Sequence, residues 1–258
     1  MITRNTVRRL SAMAAVLAAC VVAGTAVGDD SGSKADEAKP PREIKSFGDA
    51  EKDLKRLAIA MHNYESTYGR LPPAAVRDKN GKSLLSWRVL MLPYVDQNVL
   101  YKQFKHDEAW DSPHNKKLIA KMPVLFRGPN KKLNDEGKTV YLAPLDTSTV
   151  FPPDGSRVRF ANIYDGLSNT VLFVEVNDES AVVWTKPDDL VVDMKKPMKP
   201  ITELVRREQE FFLAAMCDGS VRRFKNVTRP NDLVNLARVF DRQDGEVIDY
   251  STIEWKGK

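Results

Sequence analysis

Residues 46–73, "SFGDAEKDLKRLAIAMHNYESTYGRLPP", constrain the fold more than any other stretch of this chain. Ser46 and Asp49 have the spacing of a capping box, in which side chains satisfy the free amides of a first helical turn. Ala50, Leu54, Leu57, Met61, Tyr64 and Tyr68 recur at steps of three and four. That spacing predicts one helix of about 20 residues with a single apolar stripe. Gly69 suits the left-handed residue that closes a helix, and Pro72 and Pro73 prevent its resumption. A helix striped on one side needs a second element to cover the stripe.

The rest of the chain supplies that element. "SLLSWRVLMLPYVDQNVLYKQF" (83–104) predicts two helical pieces broken near Pro93. "SPHNKKLIAKM" (112–122) predicts a short helix with Ser112 as N-cap and Pro113 at the first position, where a missing amide is harmless. After Pro123 the texture turns to β-rich runs: "VLF", "TVYLA", "TVLFVEV", "AVVW" and "FFLAAMCDGSVRRF". Four Asp-Gly pairs, at 154–155, 165–166, 218–219 and 244–245, mark turns. A two-residue hairpin at 218–219 would set Met216 opposite Val221 and Leu213 opposite Phe224. "PNDLVNLARVF" (230–240) reads as a short amphipathic helix. A long helix, short helices and then mainly antiparallel strands predict an α+β fold. The 42% apolar content suffices for a core without staples.

The first residues read as a targeting segment. Arg4, Arg8 and Arg9 precede the small-residue apolar stretch "LSAMAAVLAACVVAGTAVG", as in a secretory signal. Cleavage before Asp29, lipidation at Cys20 within Leu17-Ala18-Ala19-Cys20, and an uncleaved anchor all remain open. Each puts the body outside the cytoplasm, in the periplasm, in the envelope or secreted. The expected organisation is a signal or lipoprotein signal at 1–28, a polar linker at 29–43 and an α+β domain at 44–258. Membrane contact is expected only through the N-terminus. Setting aside the three arginines leaves 37 basic to 35 acidic residues from Asp29 onward. A nearly neutral body carries no nucleic-acid footprint. Only Cys217 then remains, so no intrachain disulfide is expected.

Catalytic signatures are missing from the sequence: there is no Gly-rich phosphate loop, H-E-x-x-H, C-x-x-C or G-x-S-x-G elbow. Two stretches concentrate polar groups. "KHDEAWDSPHNKK" (105–117) holds His106, His114 and three acids. Asp111 and Ser112 stand where a helix would be capped, and Trp110 reads as a buried anchor, so the stretch reads as a structural corner rather than a metal or catalytic site. "IYDGLSNTVLFVE" (163–175) offers Asp165, Ser168, Asn169 and Glu175 as oxygen donors for calcium, or else a turn closed by Asp165-Gly166. Adding Glu208 and Asp218 gives a candidate calcium set of Asp165, Glu175, Glu208 and Asp218. No other cofactor is expected. His62, beside the apolar stripe, and Cys217 read as packed residues.

"LKRLAIAMHNYESTYGRLPPAA", "LLSWRVLMLPYVDQNVLYKQFKHDEAWDSPHNKKL", "IYDGLSNTVLFVE", "WTKPDDL" and "CDGSVRRF" together resemble a planctomycete family of pilin-like proteins of unknown function. That family is related to type II secretion pseudopilins, and the likeness runs from about residue 50 to 249. It implies an N-terminal helix packed on an antiparallel sheet, and no catalytic residue. The chain departs from it in lacking a prepilin motif. Glu208, ten residues before Asp218, also stands where many members carry a histidine. The function expected is that of an exported, non-enzymatic pilin-like envelope protein with a structural, secretion-related or surface-interaction role, and with envelope or secretion-system partners. The alternative is an exported carboxylate-based binding protein or hydrolase using calcium.

Overall fold

Ser46 sits in extended backbone, and its Oγ accepts the Asp49 amide while the Asp49 carboxylate accepts the Ser46 amide, each at 3.3 Å. From this cap, helix α1 runs Phe47–Tyr68 and ends on Gly69 at φ 69°. Ala50, Leu54, Leu57, Met61 and Tyr64 are buried. Tyr68 is not: at the end of the stripe it is 56% exposed. The computed structural model describes residues 46–194 and 210–257, all within one unit, Arg42–Lys258. The expected signal with Cys20, the expected linker and Glu208 lie outside the described residues.

The fold is α+β. Strands β1 (Ala75–Arg77) and β2 (Ser83–Ser86) form a hairpin that leads into α2 (Trp87–Met91), a 3-10 helix (Leu92–Val95) and α3 (Asn98–Tyr101). A 3-10 helix at Asn115–Lys121, another at Val124–Phe126, and α4 (Lys131–Asp135) follow. The next strands are β3 (Lys138–Thr139), β4 (Tyr141–Leu142), β5 (Pro144–Leu145), β6 (Val171–Glu175), β7 (Val182–Val183) and β8 (Leu190–Val191). The hairpin β9 (Phe211–Met216) and β10 (Val221–Lys225) precedes α5 (Pro230–Arg238) and α6 (Tyr250–Ile253).

The main sheet has the order β10-β9-β6-β4, antiparallel throughout. Every residue of β6 and β9 is buried, which requires cover on both faces. Helix α1 packs against β9 and β10, and Arg223 of β10 bonds Glu51 of α1 at 2.9 Å. The ring of Trp87 stacks on Phe173 of β6 at 4.6 Å. The edge strand β10 is closed by the C-terminal segment, where the Trp255 amide donates to the Arg223 carbonyl.

Four expectations change. Ser83–Ser86 is a strand rather than a helix start, because Asp78 and Gly81 close a tight turn: the Asp78 carboxylate accepts the Asn80 and Lys82 amides, and Gly81 has φ 83°. "VLF" (124–126) is a 3-10 turn bounded by Pro123, not a strand. The helix expected at 112–122 is a 3-10 helix starting at Asn115. The β9–β10 register is one residue off the expected one: Ala215 faces Val221, and Phe212 faces Phe224. The Gly219 amide donates to the Met216 carbonyl, the Met216 amide donates to the Ser220 carbonyl, and Gly219 has φ 87°. That is a three-residue loop with a glycine bulge, and the extra residue shifts the ladder by one.

No side chain crowds a Cβ at Gly219, so only backbone strain opposes substitution there. Gly219→Ala should lower stability by about 1–2 kcal/mol in urea unfolding, and Gly219→Asn by less, since Asn tolerates the left-handed region.

Candidate functional site

The sequence motifs come together in three places, and each is built from backbone and side-chain hydrogen bonds. At the first, "IYDGLSN" meets "CDGS". The Cys217 amide donates to the Thr170 carbonyl and the Asp218 amide to the Leu167 carbonyl. Asn169 donates to the Asp165 carbonyl at 2.9 Å and accepts from the Tyr250 hydroxyl at 3.0 Å. The Asp165 carboxylate accepts the amides of Asp244 and Gly245 at 2.8 and 2.9 Å, so it closes the Asp-Gly turn at 244–245. Burial, then the Asp165 and Asp241 carboxylates, raise the Asp244 pKa above the usual aspartate value.

Asp165, Glu175 and Asp218 therefore act separately. Asp218 accepts the amide and hydroxyl of Ser220 at 2.8 and 2.6 Å. Glu175 is buried in β6 opposite Tyr141 of β4. Among the described residues, no three His, Cys, Asp or Glu side chains are grouped to hold a metal ion. Ser168 is exposed at this turn. His62 reaches the same end of the sheet: its Nε2 lies 2.8 Å from the Cys217 carbonyl, and its ring stacks on Phe160 at 4.2 Å. Burial holds the Cys217 thiol well above its ordinary pKa, with Asp218 adding to the shift, so it stays a protonated, packed thiol.

The second place is residues 105–117. Its organiser is Asn115, a residue the sequence reading passed over. Asn115 is wholly buried; its Oδ1 accepts the Lys105 amide at 3.0 Å, and its Nδ2 donates to the carbonyls of Lys105, Glu108 and Ala109 at 2.9–3.1 Å. Ser112 Oγ accepts the Asn115 amide at 3.1 Å, whereas Asp111 is exposed. Trp110 is half-buried rather than an anchor; Trp184 fills that role, fully buried, with its indole donating to the Ile119 carbonyl at 2.9 Å. The histidines diverge: His114 bonds the Gln103 carbonyl, and His106 packs on the Tyr101 ring.

The third place was not foreseen at all. Arg88, from "SWR", and Asp189, from "WTKPDDL", form an ion pair with side chains 0% and 1% exposed. The Asp189 carboxylate also accepts the Trp87 indole at 3.2 Å and the Ala143 amide at 2.9 Å. Arg88 donates to the Tyr141 carbonyl and to Ser86 Oγ, and its guanidinium lies 4.7 Å from the Trp87 ring centre. Burial pulls the Arg88 pKa down and the Asp189 pKa up, and each partner opposes the other's shift. Only donors meet the carboxylate and only acceptors meet the guanidinium, which is the arrangement the ionised pair requires. The sequence signal was an arginine inside the apolar run "SLLSWRVLML"; the polar motif "WTKPDDL" gave none for Asp189.

Most of this framework lies within one shared domain. A family model described as a protein of unknown function (DUF1559) matches residues 50–203. The chain belongs to this family. The DUF1559 segment includes α1 from Ala50 onward, the Asn115 corner, the Arg88–Asp189 pair and β6, and it stops before the β9–β10 hairpin. No curated protein and no solved structure matches the chain. No helix among the described residues is long and apolar enough to cross a membrane.

Removing Asp189 alone leaves a buried guanidinium unpaired, so Asp189→Ala should cost about 3–5 kcal/mol in denaturant unfolding. Arg88→Met with Asp189→Leu should not restore full stability, because the Trp87 indole and Ala143 amide would still lack an acceptor. At the corner, Asn115→Ala should cost about 2–3 kcal/mol through its unpaired buried partners. Trp110→Ala should cost less than Asn115→Ala, and exposed Asp111→Ala within about 0.5 kcal/mol of nothing. Melting curves of the single variants check this ranking.

Proposed function

We propose that this DUF1559 protein is an exported, non-enzymatic, pilin-like envelope protein that acts through structure or surface interaction. The observation that carries the reading is that α1 buries its apolar stripe and packs against β9 and β10 of an antiparallel sheet. A helix packed on an antiparallel sheet is what a pilin-like head would present, and it supports the reading. The basic and then apolar start of the chain, followed by the polar stretch 29–43, supports export and a tethered body. A structural role is supported by where the polar groups go: Asp165, Asp218, Asn115 and Asp189 each hold backbone or neighbouring side chains in place. Residues 105–117 and 163–175 are, on this reading, corners of a display scaffold.

The test is to produce the full chain in its native host, fractionate the cells and sequence the N-terminus. The mature protein should begin at Asp29 or at a lipidated Cys20, outside the cytoplasm. Cys20→Ser should release the protein from the membrane only if lipidation is the route. Intact Met1 in the cytoplasmic fraction would overturn the proposal.

A further inference from the structure

The outer face of α1 carries one sign of charge. Lys52, Lys55, Arg56, Ile59, Asn63 and Thr67 fall on one side of the helix, away from its buried stripe, and all six are exposed. From Lys52 to Thr67 this face is about 22 Å long. Exposed Arg70 follows just past the Gly69 cap. Lys55 and Arg56 have no ion pair or hydrogen bond among the described residues. Lys52 lies 4.0 Å from Asp49, whose carboxylate is already held in the Ser46 cap. In the middle of these cations Ile59 is 57% exposed.

The acids around the face are turned away or engaged. Glu51 points to β10, where Arg223 bonds its carboxylate at 2.9 Å. Asp53 is buried, and Glu65 falls off the face by the helical period. On the flank of His62, exposed Asp218 accepts the amide and hydroxyl of Ser220. Exposed Arg159 stands on that flank too, next to the Phe160 ring that stacks on His62. The positive charge is local, because the body from Asp29 onward has 37 basic to 35 acidic residues.

This helix is the first described element after the apolar stretch of the N-terminus. Residues 29–45 span at most about 60 Å however they are arranged. A body held through its N-terminus therefore keeps the start of α1 within that distance of a bilayer. Cations beside a membrane attract anionic headgroups. Lys and Arg stems lie along the apolar boundary while their charged ends reach the phosphates, and an exposed Ile enters that boundary. We propose that Lys52, Lys55, Arg56 and Ile59 dock α1 along an anionic lipid surface. This deepens the surface-interaction reading and rests on it. Nucleic acid, another polyanion, fits the face less well: it offers no aromatic ring for a base to stack on, and its centre is apolar.

The test is co-sedimentation of the purified full chain with vesicles of one-third phosphatidylglycerol and two-thirds phosphatidylcholine, and with vesicles of phosphatidylcholine alone. Residues 1–28 meet both kinds of vesicle in every variant, so the readout is the ratio of the two partition coefficients. Lys52→Gln, Lys55→Gln and Arg56→Gln together should lower that ratio by about tenfold or more. The melting temperature should not move, since Gln suits a helix and all three sites are exposed. If it falls, Lys55→Gln with Arg56→Gln, which spares the Lys52–Asp49 pair, should still lower the ratio by about fivefold. Lys79→Gln, Lys82→Gln and Lys116→Gln remove the same charge from exposed sites elsewhere and should leave the ratio within about twofold. Ile59→Gln should weaken binding to the anionic vesicles by about threefold or more. A ratio of one in the unaltered chain overturns the proposal, as does an unchanged ratio in the α1 variants or an equal fall in the control. Full binding by Ile59→Gln also overturns it, and so does tighter binding of a single-stranded oligonucleotide that the α1 variants lose. These readouts use purified protein, so their failure leaves the export reading standing. A cytoplasmic protein whose α1 face binds anionic vesicles overturns the export reading alone.

Discussion

The buried pair of Arg88 and Asp189 is the interaction on which the DUF1559 framework turns. Two charges removed from water are stable only when every lone pair and every N–H has a partner. Here the partners come from separate parts of the chain: Ser86 and Trp87 at the start of α2, Tyr141 in β4, Ala143 just after it, and Asp189 just before β8. Satisfying the pair therefore fixes how the early helical segment docks on the late strands. The Trp87 ring then stacks on Phe173, which places that segment against β6. Hydrophobic burial supplies most of the driving force, but it is non-directional. The ion pair adds direction.

Asn115 does the same on a smaller scale. Residues 105–117 have no regular ladder to absorb their backbone groups, and one buried amide side chain takes four of them. Asp165 gathers the turn at 244–245, and Asn169 ties the same loop to Tyr250. Polar side chains that look like candidate ligands in the sequence are the fasteners of irregular segments. Buried backbone groups need partners wherever a chain leaves helix and sheet.

Much was legible in the sequence because it was local. Ser46, Asp49 and Gly69 fix the ends of α1 through bonds spanning three or four residues, and the apolar steps between them fix its buried face. The β6, β9 and β10 runs and the turn at 218–219 were equally plain, since strand-forming residues and Asp-Gly turns act at short range. Tertiary structure decided what depends on distant partners. Arg88 and Asp189 are 101 residues apart, and no spacing rule joins them. Ser83–Ser86 is a strand because β1 lies beside it, and Trp184 rather than Trp110 is the buried anchor because Ile119 and Phe126 close around it. The β9–β10 register rested on a single glycine bulge, and one residue is enough to exchange the two faces of a strand. The sequence alone determined the elements and their apolar faces, because those follow from neighbouring residues. Only the tertiary structure decided which polar groups are fasteners and which remain free, because that depends on what the fold brings within hydrogen-bonding distance.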